Sequence, residues 1–185
     1  LTDEALWGRT GITWSLIAVD KHSFRVKSAR SEYSSGAPTI FNSAYTHAPS
    51  LLAFLNSCVA RYYLACLNPS VNTTVGDVLS LPWSITKADE SGQLGLFAEK
   101  CVALAKNDWD SLEQSWDFLR SPYLSEPGTT ISEAYARLAA VRDQRMETMH
   151  AYEEQINRVL ITLYELQNVL DPSIPKAEIT LCDRE

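Results

Sequence analysis

Four cations, Lys21, Arg25, Lys27 and Arg30, lie close together, and within SFRVKSA (23 to 29) Arg25 and Lys27 alternate with Phe24 and Val26. Successive side chains of a strand point to opposite faces. Alternation therefore puts Arg25 and Lys27 on one face, where cations neutralise phosphates and an arginine can pair bidentately with a guanine edge. A solvated strand face carries charges in any case, so the same residues also fit a plain wet surface. The polar turn Asn72-Thr73-Thr74 offers donors to bases or backbone, although Asn and Thr are ordinary turn formers and that is the favoured reading. Trp14 and Tyr33 have the shape to stack on an unstacked base. Core packing suits Trp14 better.

Other chemistry finds little footing. There is no G-x-G-x-x-G, no G-K-S/T and no G-x-S-x-G. His22, His47 and His150 fall in a turn, a loop and a helix face and read as surface residues rather than bases. Glu153 and Glu154 are sequential on a helix and point to different faces, which suits a solvated surface. No catalytic, cofactor-binding or metal-ligating residue is assigned. Cys58, Cys66, Cys101 and Cys182 form no C-x-x-C and read as buried free thiols.

The formal net charge of -7 over 185 residues is unevenly spread. Residues 1 to 95 hold seven basic and seven acidic side chains, whereas residues 96 to 185 hold nine and sixteen. The acidity belongs to the second half, so a nucleic-acid surface is expected only on the first. No apolar run approaches the roughly 20 residues of a membrane span, and LTDEALWGRT has neither the basic nor the apolar region of a signal peptide. The chain reads as cytoplasmic. It starts at Leu1 without an initiator Met and stops just after an apolar segment, which reads as a piece of something larger.

The elements that must position these residues fall into two groups. GITWSLIAV (11 to 19) and SFRVKSA (23 to 29) predict a hairpin-like pair with one buried and one wet face, and PTIFNSAY a short strand within loop. Ser50 is the expected N-cap of one apolar helix, LLAFLNSCVARYYLACL, ended by Asn68-Pro69. VGDVLSLPW then reads as a short strand closed by Pro82. From Leu94 to Leu119, Ala98, Cys101, Ala105, Trp109, Leu112, Trp116 and Leu119 recur by threes and fours, a coiled-coil seam anchored by the two tryptophans.

Thr130-Ile131-Ser132-Glu133 has the form of a capping box. It opens a second seam: Ile131, Tyr135, Leu138, Arg142, Arg145, Met149, Tyr152, Ile156, Val159, Leu163, Leu166, Leu170. About 40 residues at 1.5 Å each predict a rod of about 60 Å. The expected fold class is α+β: a small β-rich, target-recognition-like subdomain with one buried helix over 1–90, and an antiparallel helical hairpin over 91–185, with helices at about 94–119 and 130–170. The two seam arginines either meet acids such as Asp110 or Glu113 across the pair or reach out to water.

GITWS with SFR, LLAFLNSCVARYYLACLNPSVNTTVGDVLSLP (51 to 82), DWDSLEQSWDF (108 to 118) and INRVLITLYELQNVLDPSI (156 to 174) together resemble, in order, the C-terminal part of the PglX-type adenine-specific DNA methyltransferases of BREX phage-defence systems. More loosely they are similar to target-recognition regions of type I and type IIG restriction-modification proteins. The family's catalytic NPPY motif and its S-adenosylmethionine motif are absent, the only Asn-Pro being Asn68-Pro69 followed by Ser70 and Val71. The resemblance implies that those motifs, and the cofactor S-adenosylmethionine, belong to a methyltransferase domain that precedes such a segment. It implies double-stranded DNA as partner of the parent protein, with Lys21, Arg25, Lys27, Arg30, Asn72, Thr73 and Thr74 as candidate contacts. Other subunits of a defence complex would meet the hairpin. The alternative is an acidic module that docks proteins and makes no DNA contact.

Overall fold

The computed structural model describes residues 3–19, 22–41, 48–84, 92–124, 130–179 and 181. It is an α+β structure, as expected, and divides into two compact units. The first comprises Leu1–Ala98 with Gln155–Pro172, the second Glu99–Glu154 with Ser173–Glu185, so the division differs from a single cut after residue 90.

The first unit is built on a three-stranded antiparallel sheet of order β2-β1-β3, with β1 at Gly11–Trp14, β2 at Phe24–Lys27 and β3 at Thr39–Ile40. β1 faces β2 with Ile12 opposite Val26 and Thr13 opposite Arg25, and faces β3 with Thr13 opposite Thr39. Gly11 has no substitute: an added Cβ would lie 2.5 Å from the Ile40 carbonyl oxygen. β1 is shorter than the apolar run predicts. Residues 16–18 turn instead to residues 71–73, where Ala18 N donates to Val71 O (2.9 Å) and Thr73 N donates to Leu16 O (2.8 Å).

One sheet face carries Ile12, Trp14 and Phe24, all buried, with the Trp14 and Phe24 rings 5.5 Å apart. Packed on it is α1, Ala48–Asn56, followed by α2, Cys58–Leu67. The single expected helix is thus two, bent by 66° at Ser57. Ser57 adopts extended backbone, and its hydroxyl accepts from Ala60 N while donating to Phe54 O. A serine that competes so well for neighbouring backbone groups stops one helix and caps the next. Ser50 is therefore not a cap: it lies inside α1 and is buried.

VGDVLSLPW is not a strand. Val75–Leu79 form a short helix, α3, because Thr74 and Asp77 make a reciprocal capping box. The Asn68 amide and the Thr74 backbone and hydroxyl all donate to the Asp77 carboxylate, which lowers its pKa. The apolar run reads as strand, whereas Thr74 and Asp77 stand at the spacing that starts a helix.

Two groups close the first unit from its C-terminal segment. The buried Asn157 amide accepts from Cys58 N–H (3.0 Å) and donates to Pro172 O (3.2 Å). Tyr164 stacks on Phe54, with centroids 5.6 Å apart, and donates to Pro82 O (2.6 Å). Burial, with Tyr63 beside it, pushes its pKa up to about 12.

In the second unit α4, Gln93–Trp109, supplies Cys101, Leu104 and Ala105 to a cluster with Met146 and Met149 of α5, Ile131–Leu163. Ile174, Ile179 and Leu181 complete it. Burial pushes the Cys101 thiol up to about 12. The Thr130/Glu133 capping box forms as expected. Both helices are shorter than predicted: α4 stops at Trp109, and α5 at Leu163, before Glu165 turns to φ 56. Its 33 residues make a rod of about 50 Å rather than 60.

Other expectations are corrected here. Trp109 and Trp116 do not anchor a seam, being 46% and 83% exposed. Arg145 reaches the buried Asp108 (3.7 Å), not Asp110 or Glu113, and Arg142 lies 3.5 Å from Asp143 on its own helix. Cys66 is exposed, Cys58 and Cys101 are half-buried, and Cys182 lies outside the described residues. Nor are the histidines simple surface groups. The His22 ring nitrogens lie within 2.9 Å of the buried Thr73 hydroxyl, His150 Nε2 is 2.8 Å from Ile174 O, and His47 is not among the described residues.

Truncating Asn157 to Ala leaves Cys58 N–H and Pro172 O without that partner and should lower unfolding free energy by about 1–3 kcal/mol in urea denaturation. A loss within error would mean the amide is dispensable. Burial holds the His22 pKa below its ordinary 6.5, so the neutral ring's contribution is present above that pH and lost as pH falls through the lowered folded value. His22→Gln should accordingly flatten the decline in melting temperature between about pH 7 and pH 5. An unchanged decline would assign the acid sensitivity elsewhere.

Candidate nucleic-acid interface

The pleat of β2 is as predicted but the burial is not. Arg25 and Lys27 do point to one side and Phe24 and Val26 to the other, yet Lys27 is 3% exposed while Val26 is 47% exposed. The Lys27 ammonium donates to Arg9 O (2.8 Å) and Ser28 O (3.1 Å) and sits 5.8 Å from the centre of the Phe41 ring. A lysine so held is a structural cation. It closes the sheet beneath the N-terminal segment and presents no charge to a ligand.

Arg25 is exposed. Its position is fixed from two sides. One guanidinium nitrogen, Nη1, donates back to Phe24 O (3.2 Å), and the Asn56 amide clamps the outer edge of β2 by accepting from Phe24 N–H and donating to Phe24 O, both at 3.0 Å. Asn56 also donates to Leu52 O (3.1 Å), which ties the strand edge to the end of α1.

Across the sheet from Arg25 stand Thr13 and Thr39, which share its face through the pairing register. Their hydroxyls donate to Pro38 O (2.9 Å) and Ala37 O (3.4 Å). This row was missed because only the register, not the local sequence, brings the three residues together. Arg30 is exposed in the turn after β2, where its backbone N–H donates to the Ser28 hydroxyl. Lys21 lies outside the described residues.

The turn residues separate. Asn72 is exposed, and its carbonyl accepts from the Asn68 amide (2.9 Å). Thr73 is buried, with its carbonyl accepting from the Trp14 indole (2.9 Å) and its hydroxyl against His22. Thr74 caps α3. Thr73 and Thr74 therefore hold architecture, and Arg25, Arg30 and Asn72 remain as outward groups. Trp14 is in the core, as expected. Tyr33 exchanges hydrogen bonds with the Asp3 backbone and packs edge-on to Phe41. Among the described residues no three His, Cys, Asp or Glu side chains converge as a metal cluster, and no single helix is long and apolar enough to cross a membrane.

No family model matches the chain. It is 29% identical over 178 residues to the adenine-specific methyltransferase PglX of Lacticaseibacillus casei (strain Zhang), which covers 94% of this chain and 15% of that protein. It is 24% identical over 162 residues to the adenine-specific methyltransferase BrxX of Escherichia coli O9:H4 (strain HS), covering 86% of this chain and 13% of that protein. Nearly all of the chain thus aligns with a short part of each, and it is a relative of the PglX-type adenine-specific methyltransferases.

Proposed function

We propose that these residues form a DNA-recognition segment of a BREX-type adenine methyltransferase, with the polar face of the small sheet toward the duplex. The observation that carries this reading is the alignment with PglX along 94% of the chain, joined to an exposed arginine clamped in place on that sheet. Arg25 supplies the bidentate group, flanked by Thr13 and Thr39, while Arg30 and Asn72 supply further polar contacts. In the parent protein a separate domain binds S-adenosylmethionine and methylates the adenine amino group. This segment then helps to choose the sequence. The even charge balance of residues 1–95, against the acidity of residues 96–185, favours the first unit as the side that meets phosphate.

Replacing Arg25 and Arg30 together by Ala in the full-length methyltransferase should weaken duplex binding, relax the sequence preference that Arg25 reads and reduce the salt slope by about one phosphate contact for Arg30. Binding and methylation unchanged at two salt concentrations would sink the assignment. Lys27→Ala should behave in the opposite way. Loss of the ammonium that serves Arg9 O and Ser28 O lowers stability by about 1–3 kcal/mol, and whatever binding the folded fraction retains keeps its wild-type salt slope.

A further inference from the structure

The seam on α4 does not end where the helix ends. Leu112, Trp116 and Leu119 continue the spacing of Cys101, Ala105 and Trp109, and no Gly or Pro lies between Trp109 and Arg120. Yet residues 110–118 fold into tight turns, with the N–H groups of Ser111, Leu112, Ser115 and Phe118 each donating three residues back. This leaves Trp116 and Leu119 83% and 94% exposed. The facing seam on α5 is open too. Ile131 and Tyr135 are 85% and 62% exposed, and Tyr135, Leu138 and Arg142 line a groove whose other side is formed by Asp108, Ser111 and Tyr123, so the segment after α4 already borders it. Single exposed apolar residues are ordinary; two matched unpaired rows are not.

Where α4 and α5 do meet, they run antiparallel, with contacts that agree on the register to within about three residues. Lys100 lies over the Tyr152 ring (5.1 Å), Cys101 packs in the cluster with Met149, and Asp108 reaches Arg145. Extending the antiparallel register from Cys101 and Met149 sets Leu112 opposite Leu138, brings Trp116 to within one residue of Tyr135 and sets Leu119 opposite Ile131. All six belong to the two seams, so the match is seam to seam.

We propose that the groove on α5 is the docking site of the chain's own Asp110–Leu119 segment, which in a second, closed state continues α4 as helix and zips onto Ile131–Arg142. The open state has identifiable locks. Lys106 donates to Asp117 (2.9 Å), Ser115 donates to Asp110 (2.7 Å), and the Ser115 hydroxyl accepts from Asp117 N–H (3.1 Å). Along a continuous helix residues 106 and 117 would stand about 16 Å apart, so the Lys106–Asp117 pair belongs to the open state alone. The Lys106–Asp110 pair, at i,i+4, suits both. Closing exchanges the three locking bonds for burial of Trp116, Leu119, Ile131 and Tyr135, and so decides whether that face of the second unit is adhesive.

The test is Ser115→Ala with Asp117→Ala in the full chain, followed by backbone NMR shifts of residues 110–119, contacts of the Trp116 indole, and sedimentation. The expected result is a downfield move of the Cα shifts toward helical values, new cross-peaks between the Trp116 and Tyr135 rings, and a monomer. Unchanged signals from residues 11–27 show that the fold is kept. A second pair, Glu113→Gly with Gln114→Gly, weakens the helix without touching the locks and should abolish the Trp116–Tyr135 cross-peaks when added to the first. Non-helical shifts in the unlocked variant would overturn the proposal. So would helix that appears only with dimerisation, since a second copy would then be the occupant.

Discussion

The first unit depends on one buried amide. Asn157 meets the bare N-terminus of α2 and the carbonyl of Pro172 at the point where α1 and α2 part. Helix N-termini leave their first amides without intrahelical partners, and Ser57 serves only Ala60 N with its own hydroxyl. The Cys58 N–H must therefore be satisfied from outside, and burial makes an unmet donor costly. Because the acceptor sits on α5, far along the chain, the same bond that completes the cap also recruits Gln155–Pro172 into the unit. Break, cap and recruitment are one event. Phe54 and Tyr164 stack between the same two chain segments, with centroids 5.6 Å apart.

Much of this was readable in the residues, and the failures share a cause. Thr130 and Glu133 spell a capping box, and one forms; Thr74 and Asp77 make another within a stretch whose apolar pattern reads as strand. The Trp14 core position followed from β-strand chemistry, whereas the burial of Lys27 could not, since it depends on a carbonyl at Arg9 and a ring at Phe41 that only the tertiary fold brings near. Ser57 is the plainest case. Apolar spacing runs straight through it, and one hydroxyl overrides the pattern. Periodicity reports what a helix would bury, not whether the backbone prefers another bond.

Recognition surfaces on small sheets face a conflict between display and rigidity. Long cations gain reach from flexibility and lose binding free energy when they are ordered. If Arg25 meets DNA as proposed, its strand removes part of that cost: the guanidinium is bonded to its own backbone and the strand edge is held by Asn56. The two threonines beside it direct their hydroxyls to backbone carbonyls. Lys27, two residues on, shows the other use of a cation, as a buried bracket between carbonyls. Side by side, the two separate charge that presents from charge that supports.

The discontinuous make-up of the first unit has a consequence for how the chain is born. Residues 99–154 intervene between Ala98 and Gln155, so a ribosome must complete the whole of that stretch before the amide at position 157 exists to meet α2. Until then α2 lacks the acceptor for its Cys58 N–H, and Phe54 lacks the Tyr164 ring, though Trp83 already lies 5.1 Å from it. Long-range closure of this kind slows folding and prolongs exposure of apolar surface. Completion of the first unit therefore waits on synthesis of the segment that interrupts it.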